Sequence, residues 1–248
     1  IWSDRLDRPM DDIFDVQDEI SLAIARKVNP TIRSEERAKV LTKTSTNASA
    51  WDTYLRALDL YNKRSETKKI HTLCDQAIAI DKTFIDPYAL KCRTLIRERY
   101  IPQNRQYHDK ISKQIFEIST DILNRDKNNS DALNCMCSYY MSINDATNAA
   151  HYAKLAEEAN PNNAQTANSQ SLISALTGDI ESATTYLEKV KFLDPSELDE
   201  WPQFEVSLLM VNKRLGEALE QIQRAISKDP GNNMLIGFLV AVLGNLDR

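Results

Sequence analysis

From about Trp51 onward the apolar residues return at i, i+3, i+4 and i+7 in short blocks, the mark of one buried face on an amphipathic helix. Leu133, Cys137 and Tyr140 are followed by Ala149, Ala153 and Ala156. Leu172 and Leu176 precede a Gly178-Asp179 turn and then Ala183, Leu187 and Val190; Val206, Leu209 and Met210 precede Ala218, Ile222 and Ala225. Each block therefore reads as two helices joined by a short turn. The blocks close on a shared string, in Ala77-Ile-Ala-Ile-Asp81, Ile122-Leu-Asn-Arg-Asp126, Ala156-Glu-Glu-Ala-Asn160, Val190-Lys-Phe-Leu-Asp194 and Ala225-Ile-Ser-Lys-Asp229. The closing Asp or Asn positions lie 45, 34, 34 and 35 apart.

A period near 34 residues is one helix–turn–helix unit of the tetratricopeptide kind. The single interval of 45 fits one unit with an insertion of about eleven residues, and 101–106 reads as part of that loop. Small residues at Ala149, Ala183 and Ala218 let the second helix of a pair cross the first at the short end of the usual helix separation. Pro161, Pro195 and Pro230 follow three of the second helices, where proline stops one helix and opens the next turn. Together these positions resemble the tetratricopeptide signature from Trp51 to the end, most clearly over 130–230.

The expected fold is all-α, a right-handed α-solenoid with two leading helices that do not repeat. Residues 1–49 form the leading segment, 50–231 five helix pairs, and 232–248 a terminal half unit. In the leading segment, Ile13, Val16, Ile20, Ile24 and Val28 share one side of a helix that Asn29-Pro30 ends; a second follows over about 31–41, then a polar stretch over 42–49. The terminal half unit is apolar on most sides, and Leu243-Gly244-Asn245-Leu246-Asp247-Arg248 resembles the turn at Leu176-Thr177-Gly178-Asp179. The chain also opens on Ile1 rather than Met, so it reads as a fragment of a longer protein, stopping within a sixth unit.

Composition narrows the function. A formal net charge of −5 supplies no general basic field, so direct nucleic-acid binding is not expected. Residues 1–125 hold 22 Lys and Arg against 19 Asp and Glu, whereas 126–248 hold 9 against 17, within ordinary variation along a solvated surface. Cys74, Cys92, Cys135 and Cys137 form no metal-ligand spacing and read as small buried hydrophobes. His71, His108 and His151 have no neighbouring Ser, Cys or carboxylate arranged for nucleophilic chemistry, and no glycine-rich phosphate loop occurs. No catalytic residue, metal or cofactor is therefore assigned. No apolar run is long enough to span a bilayer.

The opening string carries a second resemblance. Trp2-Ser3-Asp4-Arg5, then Asp12-Ile13-Phe14, then Gln17-Asp18-Glu19-Ile20, resembles the junction between a TolB-like domain and a tetratricopeptide array in bacterial signalling proteins. The resemblance implies an upstream effector of adenylate cyclase or winged-helix regulator type, neither of which this chain contains. It also implies a cytoplasmic module, or a periplasmic one if a membrane helix lies upstream.

The expected function is a protein-interaction scaffold or sensor that binds a protein or peptide. First helices line the concave face of such an array, and the register puts Arg93, Arg97, Asn134, Ser138, Asn168 and Gln203 there. Asn134 and Asn168 share one register position, and a side-chain amide can both donate to and accept from an extended backbone. Arg93 and Arg97, four apart on one helix face, can take a carboxylate. Two alternatives belong to other classes. Self-association would run through the terminal helix at Leu235, Phe238, Leu239 and Val242. A small-molecule sensor would need a polar pocket converging on Arg93 and Arg97.

Overall fold

The structure, a computed structural model, describes residues 47–99, 105–194, 202–228, 230–231 and 233–246. The expected leading helices lie outside the described residues, and the polar stretch is described only from Asn47. Every regular element among the described residues is a helix. They are α1 (Ala48–Asn62), α2 (Thr67–Ile80), α3 (Asp86–Arg99), α4 (Arg105–Arg125), α5 (Ser130–Ser142), α6 (Ala146–Ala159), α7 (Ala164–Leu176), α8 (Ile180–Leu193), α9 (Pro202–Val211), α10 (Leu215–Lys228) and α11 (Asn233–Leu246). The chain divides into two compact units, the first holding α1–α3 and the second α4–α11.

The punctuating Asp and Asn have a mechanical reason. The carboxylate or amide oxygens of Asp81, Asp126 and Asn160 accept from the backbone N–H two residues on, at Thr83, Asn128 and Asn162. This turn ends one pair and aims the chain at the next. The following helices start on side-chain caps: Asn129 accepts from Ala132 N–H and Asn163 from Thr166 N–H. Within pairs Asp145 and Asp179 cap the second helix. Hydrogen bonds from Asn148 hold the Asp145 carboxyl below its usual range, and those from Ser182 do the same for Asp179.

The first helix of a pair also ends in a constant way. Arg64, Asn144, Gly178 and Lys213 each follow such a helix with positive φ, at 53°, 60°, 84° and 58°. The next N–H reaches back five residues, as in Asp145 N to Tyr140 O at 2.9 Å and Arg214 N to Leu209 O at 2.9 Å. These are Schellman caps, which glycine fits without strain. Only Gly178 meets that preference. Lys213→Gly is therefore expected to stabilise its helix pair by about 0.5–1 kcal/mol, and Asn144→Gly by less because asparagine tolerates this conformation, read from native-state hydrogen exchange. A loss of stability in both variants would show that side-chain contacts outweigh backbone strain there.

Second-helix residues fill the space between pairs. Ala149, Ala153 and Ala156 are buried, as are Ala183, Leu187 and Val190. The close crossing expected at Ala183 is direct: the buried Ser171 hydroxyl donates to Ala183 O at 2.6 Å. Part of the insertion expected as loop over 101–106 is helix. Arg105 and Gln106 belong to α4, which runs 21 residues against 14 for α2, α6, α8 and α10; residues 101–104 lie outside the described set. Of the turn expected over 243–248, residues 243–246 are helix, since α11 continues to Leu246, and 247–248 lie outside the described residues. In register Leu246, not Leu243, matches Leu176 and Val211, the last residues of α7 and α9.

Candidate partner-binding site

In the first unit, the guanidiniums of both Arg97 and Arg93 face the Tyr61 ring. The Arg97 Cζ lies 3.7 Å from its centroid and that of Arg93 4.8 Å. Arg97 Nη1 also donates to Tyr61 O at 3.0 Å. A cation over an aromatic face is stabilised by the ring quadrupole, so this cluster ties α3 to the end of α1. Nearby, His71 Nε2 lies 3.1 Å from Glu98 Oε1, joining α2 to α3. These pairings follow from tertiary contact and have no local sequence signal.

In the second unit the asparagine row divides. Asn134, on α5, is 1% exposed, and its amide is engaged inside the protein. Nδ2 donates to Thr166 Oγ1 at 2.9 Å and Oδ1 accepts from Ser169 Oγ at 3.0 Å. It is a clamp between α5 and α7 rather than an open groove residue. Ser138 is likewise buried. Sequence reasoning missed Thr166 and Ser169 because polar residues amid Ala167 and Ile173 read as solvated.

Asn168 sits one unit further on in the same register and is 6% exposed. Its Oδ1 is buried and has no hydrogen-bond partner, and the same holds for Gln165 Oε1 one turn earlier on α7. The register explains part of this difference. The position that is Ser169 beside Asn134 is Phe204 beside Asn168, and a phenyl ring cannot donate. Gln203 falls within α9, but its side chain lies outside the described residues.

The terminal helix is turned differently from the expectation. Leu235 and Val242 are buried in one cluster with Val206, Leu209, Ala218 and Ile222, and Phe238 and Leu239 pack against it. Those four residues thus serve the fold of the chain itself. Ile236, Val240 and Leu243 point outward instead.

A further feature was not anticipated. Leu176 and Val211 close α7 and α9, Leu246 holds the same register position in α11, and the three are 68%, 60% and 42% exposed. The period placed Leu176 on a buried face; it lies instead where the first helix runs out past its partner.

The chemistry of the remaining groups is muted. Burial pushes the Cys74 and Cys137 thiols up to about 12, which removes their thiolates near neutral pH. Among the described residues no group of three or more His, Cys, Asp or Glu is arranged to hold a metal ion, and no helix is long and apolar enough to cross a membrane.

No family model matches the chain, and no curated protein matches it. Solved structures do. The chain is similar to TTC0263, a thermophilic tetratricopeptide protein of Thermus thermophilus, with a TM-score of 0.58 and 18% identity over 78% of this chain and 98% of that one. It is similar to a chain of the APC/C hetero-tetramer Cut9-Hcn1 with a TM-score of 0.58 and 17% identity, over 90% of this chain and 38% of that one. With the all-helical architecture, these likenesses show the fold to be an α-solenoid of tetratricopeptide type.

Proposed function

We propose that the chain is a protein-interaction scaffold whose second unit holds an extended peptide against the first helices of its pairs, without performing chemistry. The observation that carries this reading is the pair of buried acceptors on α7, Gln165 Oε1 and Asn168 Oδ1, which have no partner. An unmet buried polar atom costs about 1–3 kcal/mol. An extended backbone has N–H groups without internal partners, and these would meet the two acceptors once the Asn168 and Gln165 amides turn out of their buried positions. Arg93 and Arg97, stacked on Tyr61, stay a separate candidate contact in the first unit for an acidic group. The setting we infer is a bacterial signalling protein, supported only by the junction string at 2–20, which lies outside the described residues.

The test is selection of peptides of about ten residues from a displayed library against the whole chain. Selected peptides are expected to lose at least about tenfold in affinity, or about 1.4 kcal/mol, on Asn168→Leu. Failure to select any peptide, or binding indifferent to both Asn168→Leu and Gln165→Leu, sinks the reading.

A further inference from the structure

We infer that α11 pairs with the same helix of a second copy of this chain, antiparallel about a two-fold axis at Val240, the aliphatic side chains of each helix seated on the glycines of the other. The inference is independent of the peptide reading, whose residues Gln165 and Asn168 lie on α7.

Burial carries the first step. Leu235 and Val242 hold α11 to the cluster of Val206, Leu209, Ala218 and Ile222. The other side of the helix is open. Ile236, Val240 and Leu243 are 42%, 66% and 43% exposed, and Gly237 and Gly244 are exposed beside them. On earlier first helices this side is covered, and packing roles align the helices. Ile173, Leu208 and Val242 each join the cluster of the preceding pair. Two residues before them stand Ser171, Val206 and Val240. Ser171 and Val206 are fully buried, the one donating to Ala183 O of α8 and the other clustered with Ala218 of α10.

The glycines carry the second step. α1, α5, α7 and α9, which each seat a second helix, contain no glycine, whereas α11 holds two of the five in the chain. Glycine inside a helix is less favourable than alanine. A Cβ added at Gly237 or Gly244 would meet no described atom within 4 Å. Contacts within the described chain therefore do not call for these glycines. They leave room for side chains that arrive from outside.

Symmetry carries the third step. At about 100° per residue, Ile236 and Gly244 lie about 40° to either side of Val240, and Leu243 and Gly237 about 60° to either side. In an antiparallel pair centred on Val240, residues equally far from it along the chain face each other. Ile236 of one copy then meets Gly244 of the other, Leu243 meets Gly237, and the two Val240 side chains meet on the axis. The helix is thus its own complement, as a two-fold contact requires. It carries no charged residue over 233–246, so the pairing brings no like charges together. Two helix faces about 21 Å long and about 10 Å wide fall short of the about 1,200 Å² of a stable interface. The pairing is therefore weak and concentration-dependent.

The experiment is sedimentation equilibrium of the whole chain over a range of concentrations. A monomer–dimer equilibrium is expected. Val240→Lys should weaken it at least about tenfold, because two charges then meet on the axis. Gly237→Leu combined with Gly244→Leu should weaken it as far by filling the seats. Leucine favours helix over glycine, so unfolding would not account for that loss, and the circular dichroism of both variants should match the parent. Under oxidised glutathione, Val240→Cys is expected to link two chains by a disulfide much faster than Leu176→Cys, an exposed control on α7. A monomer at every concentration, a dimer that either variant leaves intact, or equal cross-linking at the two sites overturns the inference. So does a monomeric chain whose open face takes up a peptide copying α10 (Leu215–Lys228) in a Val240-dependent manner, the mark of a seat for a foreign helix.

Discussion

Replacing Asn134 and Asn168 by leucine is expected to move stability in opposite directions, although both occupy the same place in the repeat. Asn134→Leu removes two buried hydrogen bonds and leaves the Thr166 and Ser169 hydroxyls short of a partner. Each buried orphan costs about 1–3 kcal/mol, so a loss of about 2–4 kcal/mol is expected. Asn168→Leu loses no bond at Oδ1, because that atom has none. It replaces a buried amide by a side chain of similar size and should stabilise by about 1 kcal/mol. Repeat arrays need not unfold in one step, so the measurement is native-state hydrogen exchange, compared in α5 and in α7–α9. Destabilisation by both substitutions would mean that the Asn168 amide is satisfied in solution, and it would remove the observation on which the peptide reading rests. The pair separates a structural asparagine from a functional one without knowledge of the partner.

The pairing of helices was readable in the sequence because it depends on local chemistry. Asp81, Asp126 and Asn160 recur because each closes a turn on its own backbone. Ala149, Ala183 and Ala218 recur at the crossing in the last three pairs and all three are buried, whereas the same position holds the larger Ile70 and Ile115, also buried, in the two earlier ones. What a helix turns toward its neighbours was less readable. On α7, Thr166, Ser169 and Ser171 are buried beside Ala167, and Leu176 is exposed, which inverts the usual polarity rule. Each of these three hydroxyls has a partner 12 to 35 residues away: Ser171 at Ala183 O, Thr166 and Ser169 at Asn134. Such partners exist only after the helices assemble. The same limit applies to α11. Its apolar residues surround it, so periodicity could not choose between Leu235 and Val242, which face inward, and Ile236 and Val240, which face out.

The largest single loss of stability is expected at Phe84, a residue that the repeat pattern did not single out. In register, Phe84 stands where Asn129 and Asn163 cap later helices. It makes no cap. Its ring is fully buried, stacked on Trp51 at 5.6 Å and meeting Tyr54 edge-on at 5.2 Å. The side chain thus anchors the start of α3 on the first turns of α1, an aromatic contact where later units use a hydrogen bond. Phe84→Ala gives up the buried ring, its aromatic pairs and the packing around the cavity, at about 3–5 kcal/mol. Phe84→Leu keeps most of the volume and should cost less than half of that. Exchange protection is expected to fall across α1–α3 in the alanine variant and to recover largely in the leucine variant. An alanine variant as protected as the parent would show that Cys74, Leu90 and the rest of the first cluster hold these helices without the ring. A leucine variant as damaged as alanine would show instead that ring geometry, more than buried volume, sets the anchor.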